Sequence, residues 1–180
     1  GSVAEFAANI NVPVINAGDG TGQHPSQALL DYYTIEKEFA ALGKTIDGLT
    51  IALVGDLKHG RTIHSLSQLL AKFNGIHFKF IAPDHLRAPA ELLEELQRAG
   101  HRVEEFDSLQ NGLPGVDVIY ATRIQRERIE NGEKLEGYSE ALRLNRANVE
   151  RYAPADAIIL HPLPRDSRAG ALCRSTTAGG

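Results

Sequence analysis

The sequence predicts an α/β protein, a three-layer, doubly wound parallel sheet of about five strands. Three observations carry this expectation. Short runs of apolar and β-branched residues recur along the chain. Longer stretches with helical leucine spacing lie between them. The helical stretches stop at Asn-Gly or Gly, which are good helix-ending signals. Strand–helix alternation of this kind places parallel strands side by side with helices on both faces.

The elements follow in order. Val12-Pro13-Val14-Ile15 reads as a strand. Gln23 to Leu42 reads as a helix opened by His24-Pro25, with Leu29, Tyr32, Phe39 and Leu42 on one buried stripe. Ala40 to Asp47 is the connector. Thr50 to Val54 is a buried strand ended by Gly55-Asp56. His64 to Phe73 carries Leu66, Leu69, Leu70 and Phe73 at helical spacing and stops at Asn74-Gly75. His77 to Ile81 is the next strand. Pro89 to Ala99 is a helix with proline in its first turn and Gly100 after its end. His101 to Phe106, Val116 to Tyr120 and Ala157 to Leu160 are the remaining strands.

Residues 3–42 differ in character from the rest and are expected to be the end of another domain with a linking helix. Residues 43–170 form the main domain, and 171–180 read as a disordered tail. Gly1-Ser2 reads as a cloning scar, and the chain has no methionine, so a piece of a longer protein is expected. The composition is that of an ordinary soluble domain. A net charge of −4 argues against a broad nucleic-acid surface. No apolar run reaches membrane-spanning length. Cys173 is the only cysteine, which excludes an internal disulfide and a cysteine-based zinc site and suits a cytoplasmic location.

In open α/β sheets, ligands sit beyond the carboxyl ends of the strands. Four polar segments fall directly after predicted strands. The first is Asn16 to Gln27, a glycine-rich loop opening onto a helix, where backbone N–H groups and the helix dipole favour an oxyanion. His24 and Gln27 share its first turn; His24 either caps the helix or donates to a charged oxygen. The second is Val54 to Thr62, where Lys58, His59 and Arg61 form either an anion clamp or a solvated basic loop. His59 and His64 lack a metal-ligand pattern and read as structural or exposed. The third is Thr122 to Arg128, with Arg123, Gln125, Arg126 and Arg128. The fourth is Leu160-His161-Pro162-Leu163-Pro164-Arg165, whose two prolines stiffen the backbone. Gly43-Lys44-Thr45 is not a Walker loop, because Glu38 stands where its leading glycine belongs.

His24-Pro-Ser-Gln27-Ala-Leu, Val-Gly-Asp56-Leu-Lys-His-Gly-Arg61-Thr, Thr122-Arg123-Ile-Gln125-Arg-Glu-Arg and Leu-His161-Pro-Leu-Pro-Arg165 occur in this order. In that order they resemble the aspartate carbamoyltransferases, over about Asn11 to Gly170. The related ornithine carbamoyltransferases typically have His-Cys-Leu-Pro-Arg where this chain has His161-Pro162-Leu163-Pro164-Arg165. They also carry a Ser-Met-Gly loop, and this chain has no methionine. An arginine-rich pocket suits two carboxylates better than a cationic amino acid.

The resemblance implies transfer of a carbamoyl group from carbamoyl phosphate to the α-amine of L-aspartate, in pyrimidine synthesis, without cofactor or metal. It implies that His24 donates to the carbonyl oxygen. Gln27 and the backbone carbonyls near Pro162 and Leu163 would hold the carbamoyl amine. Arg61 and Arg123 would clamp aspartate's carboxylates, with Gln125 helping. It makes residues 3–42 the end of the carbamoyl-phosphate domain with the linking helix, and 43–170 the aspartate-binding domain. The family's Ser-Thr-Arg-Thr phosphate loop and a lysine loop from a neighbouring subunit are not in this sequence. Full-length chains of the family form homotrimers, in some cases with regulatory subunits. This chain alone is expected to be inactive and at most weakly associated. The alternatives are an ornithine-type enzyme and a non-catalytic assembly or binding module that keeps the fold. A generic nucleotide binder is weaker, since no strand is followed by G-x-G-x-x-G.

Overall fold

The structure, a computed structural model, describes residues 3–20, 22–122 and 142–163. Five parallel strands make one sheet: β1 (Thr50–Val54), β2 (His77–Ile81), β3 (Arg102–Phe106), β4 (Val118–Ala121) and β5 (Ile158–Leu160). Their order is β3-β2-β1-β4-β5, so the chain winds outward from β1 in both directions. The helices are α1 (Val3–Ala7), α2 (Pro25–Ala41), α3 (Arg61–Leu70), α4 (Ala90–Arg98), α5 (Leu109–Gly112) and α6 (Arg146–Tyr152). Among the described residues no helix is long and apolar enough to cross a membrane.

The pleat explains the layers. Ile51 and Leu53 of β1 point to a core shared with Phe78, Phe80, Val118 and Tyr120, covered by Ile35, Phe39, Ile63, Leu66, Leu70, Leu92 and Leu96 of α2, α3 and α4. Ala52 and Val54 point the other way, to Ile119, Ala121, Leu109, Leu113, Leu142 and Leu144. Both faces of β1 are therefore dry, as a central parallel strand requires. Each such fully buried aliphatic or aromatic side chain contributes about 1.5–3 kcal/mol.

Three expectations need correction. Val12 to Ile15 is not a strand; Ile15 is 85% exposed, no described strand pairs with it, and Pro13 lacks a donor. On α2 the buried stripe is Ala28, Asp31, Ile35 and Phe39; Phe39 is buried as expected, but Ala28 and Asp31 take the places expected of Leu29 and Tyr32, and Leu29 and Leu42 are exposed. Tyr32 is half-buried and stacks on Phe73 with ring centroids 5.3 Å apart. The phase follows Asp31, whose carboxylate is anchored inside the fold. Helix α3 begins at Arg61, three residues ahead of the expected start, because Gly60 serves as its N-cap.

The base of the sheet is tied by Lys44, just after α2. Its Nζ donates to Asp117 Oδ1 at 3.0 Å and Asp156 Oδ2 at 2.7 Å, and Asp117 Oδ2 accepts the β1 Thr50 N–H at 3.0 Å. These bonds raise the Lys44 pKa, the Asp156 bond most.

Firm packing is confined to the sheet and the helices on it. Helix α1 buries no residue, and Phe6, Val12 and Ile15 are exposed. In amide hydrogen exchange, β1, β2 and β4 should be the last to exchange and residues 3–20 among the first. The reverse order would refute this partition.

Candidate functional site

The register brings three loops to one edge. Val54 pairs with Ala121, and Tyr120 with Leu160, so Gly55, Thr122 and His161 leave the sheet side by side at its carboxyl end. This edge lies where the winding reverses, the usual place for a crevice in such sheets. The β1 and β4 loops almost touch. Gly55 has φ +125°, and a Cβ there would stand 2.5 Å from the Thr122 carbonyl oxygen.

The turn after β1 is built around Asp56, which is fully buried. Its Oδ1 accepts the His59 backbone N–H at 3.0 Å and lies 3.1 Å from His59 Nδ1. The Leu57 and Lys58 N–H groups both donate to Leu86 O, and His64 Nε2 donates to Leu57 O at 3.0 Å. His59 and His64 therefore hold the turn, in line with the structural reading. The turn delivers Arg61 to the first position of α3. Arg61 Nη1 donates to Gly20 O at 2.7 Å, and the guanidinium packs against Gly18, whose φ of +123° lets the loop come this close.

That contact brings the glycine-rich loop, and with it the start of α2, onto α3. The His24 N–H donates to Ser65 Oγ of α3 at 2.9 Å. His24 is the N-cap of α2, and its Nδ1 accepts the Gln27 N–H at 3.3 Å. An imidazole nitrogen that accepts this bond carries no hydrogen, so in the neutral ring the proton is on Nε2. Capping and donation are thus compatible: one nitrogen caps and the other is left as a donor. His24 and Gln27 reach this region from a helix start, not from the end of a strand as the sequence suggested.

After β5, His161 Nδ1 accepts the Leu163 N–H at 2.9 Å. Leu163 has φ +47°, a left-handed conformation that costs a non-glycine residue roughly 1 kcal/mol. The Leu163 N–H bond orients the peptide plane that carries the Pro162 carbonyl. Arg123 and Gln125 lie outside the described residues, as do Pro164, Arg165 and the 171–180 tail.

Sequence reasoning passed over one group here. Asp31 of α2 is buried, accepting Gln27 Nε2 at 2.9 Å on Oδ1 and the Tyr120 hydroxyl at 2.7 Å on Oδ2. Burial raises its pKa, and these two bonds oppose the rise. Burial also pushes the Tyr120 phenol far above its ordinary value. The one available signal was an aspartate at a core position of an amphipathic helix.

Comparison with known proteins identifies the family. The profile described as "Aspartate/ornithine carbamoyltransferase, Asp/Orn binding domain" matches residues 47–170, and the "carbamoyl-P binding domain" profile matches 1–37. The aspartate carbamoyltransferase catalytic subunit of Dichelobacter nodosus is 71% identical over 176 residues, covering 98% of this chain and 51% of that protein. A crystal form of the M. jannaschii aspartate transcarbamoylase catalytic subunit superposes with TM-score 0.77 at 40% identity, over 93% of this chain and 54% of the other. Trypanosoma cruzi aspartate transcarbamoylase in complex with carbamoyl phosphate gives 0.81 at 38% identity, over 91% and 52%. The chain spans about half the length of the relatives it matches. The fold, the profile match and these relatives together place the chain in the aspartate/ornithine carbamoyltransferase family, beside its aspartate carbamoyltransferase members.

Proposed function

We propose that this chain supplies the aspartate-binding half of an aspartate carbamoyltransferase site, together with two side chains that hold the oxygen and the amine of the carbamoyl group. The observation that carries this reading is the pairing at adjacent helix starts. His24 has its Nε2 left as a donor, while Arg61 is bound to a backbone carbonyl that a carboxylate can replace. A carboxylate adds a second charge and can bind the guanidinium through two parallel bonds, which the carbonyl it displaces cannot do.

In this reading the α-amine of L-aspartate attacks the carbonyl carbon of carbamoyl phosphate. A C–N bond forms, the C–O bond to phosphate breaks, and the amine loses a proton. His24 donates to the carbonyl oxygen as charge builds on it. Gln27 and the carbonyls of Pro162 and Leu163 accept from the carbamoyl NH2. Arg61 and Arg123 pair with aspartate's two carboxylates, and Gln125 steadies Arg123 or the substrate. Residues 3–42 are the end of the carbamoyl-phosphate domain with the linking helix, and 43–170 the aspartate domain. The full-length chain acts in the cytoplasm, as a homotrimer, in pyrimidine synthesis.

The test uses succinate, a dicarboxylate without the reacting amine. Titrated into isotope-labelled chain, it should bind weakly and move NMR resonances of Arg61 and Gly20, because a carboxylate takes over the bond between them. Sodium chloride at equal ionic strength should not. Shifts confined to other regions would show that Arg61 is wrongly assigned.

A further inference from the structure

Asp31 is the polar member of the buried stripe of α2. A carboxylate in such a place is costly, and an apolar residue of similar volume is often as stable or more so. Its geometry supplies a reason for its presence. Both oxygens are engaged: Oδ1 by Gln27 Nε2 at 2.9 Å, and Oδ2 by the Tyr120 hydroxyl at 2.7 Å. An ionised carboxylate only accepts hydrogen bonds. Gln27, one helical turn before Asp31, can therefore meet it only through its NH2 group. The amide oxygen is turned away from Asp31, and no described residue donates to it. Tyr120, buried on β4, stops the carboxylate from following a swing of the glutamine.

We propose that Asp31 is a positioning residue, whose carboxylate fixes the Gln27 amide with its oxygen outward so that it accepts from the carbamoyl amine. This rests on the role given to Gln27 above and adds a basis for specificity. With its NH2 outward, the amide would set donor against donor. With its oxygen outward, it favours a substrate bearing NH2 over an isostere bearing CH3. The same carboxylate also joins the carbamoyl side to β4, the strand that leads to Arg123.

The experiment compares two ligands in the full-length catalytic chain. Carbamoyl phosphate is the substrate, and acetyl phosphate, which has CH3 in place of NH2, is used as a competitive inhibitor. Asp31→Asn lets the amide turn over. It should raise KM for carbamoyl phosphate about tenfold, the scale of one mispaired polar contact, while Ki for acetyl phosphate moves less than about twofold. Equal changes in both, or no change in either, would reduce Asp31 to a structural residue and overturn the proposal. Gln27→Ala is measured alongside. If it fails to separate the ligands, the reading of Gln27 itself is wrong; if it separates them and Asp31→Asn does not, only the positioning role is lost.

A second readout does not depend on turnover or on a well-folded Asn variant. In the 180-residue chain, the Gln27 side-chain NH2 should show one proton shifted downfield and slow to exchange. Tyr120→Phe, which keeps the carboxylate, should preserve that signal. A Gln27 NH2 that exchanges like a free amide in the parent chain would overturn the proposal.

Discussion

Purified on its own, this chain is expected to form no N-carbamoyl-L-aspartate above a buffer blank. The proposed reaction develops charge at two places, the carbonyl oxygen and the departing phosphate. In that proposal His24 and Gln27 serve the first. The carbamoyl-phosphate profile, however, meets this chain only over residues 1–37, and the relatives are about twice as long. A single lost electrostatic contact to a transition state costs about 10²–10³ in rate. Losing several that act as a unit leaves almost nothing measurable. The assay is product formation from carbamoyl phosphate and L-aspartate, with His24→Ala beside the parent. Steady product from the parent, abolished in His24→Ala, would mean that the chain carries a complete site.

Replacing Gly55 by alanine should destabilise the fold by about 3 kcal/mol. Two penalties combine. At φ +125° the backbone is in a region that residues with a Cβ rarely adopt, and the new methyl would lie 2.5 Å from Thr122 O and 2.7 Å from Thr122 Oγ1. Neither loop can yield easily, because the Thr122 N–H is bonded to Val54 O at 2.9 Å and the Gly55 N–H to Ile81 O at 3.3 Å. Gly75→Ala is the control. Its φ is +65° with nothing within 4 Å of a Cβ, so it pays only the conformational term, about 1 kcal/mol. Urea midpoints measure both. Equal losses would show that the close approach of the β1 and β4 loops is not what Gly55 serves.

Much of the sheet was legible because its signals are local. Strands β1 and β2 match their predicted limits, each being a β-branched or aromatic run bounded by turn residues. Strand β4 begins two residues late, since Val116 is buried in the approach to the strand but outside its ladder, and burial alone looks the same in sequence. Val12 to Ile15 has strand composition without a described partner strand. Helix α6 was missed although its marks are present: Asn145 caps Asn148 N–H at 2.9 Å, while Leu144 and Val149 pack in the second core as a hydrophobic staple. The position of Arg61, in the turn after a strand, could be read from the sequence. Asp31 could not, because its role needs Tyr120, 89 residues away, and a hydrophobicity pattern rejects aspartate at a core position. That rejection displaced the first half of the predicted stripe of α2 by one residue, while Phe39 was read correctly.

Helix α2 also acts as a lever. It has 17 residues, about 25 Å of arm, with His24 at its tip and the Lys44 clasp beyond its base. Held only at the base, a tilt of about 5° would sweep the tip through roughly 2 Å. Asp31 is a second fulcrum two turns from the tip, which shortens the free arm to about 10 Å and the sweep to roughly 1 Å. Misplacement by about 1 Å can already slow a reaction a hundredfold. The aim of His24 is thus set by stiffness along the helix as well as by its own hydrogen bonds. Slackening the clasp, far from any substrate, would blur that aim before it loosened the fold.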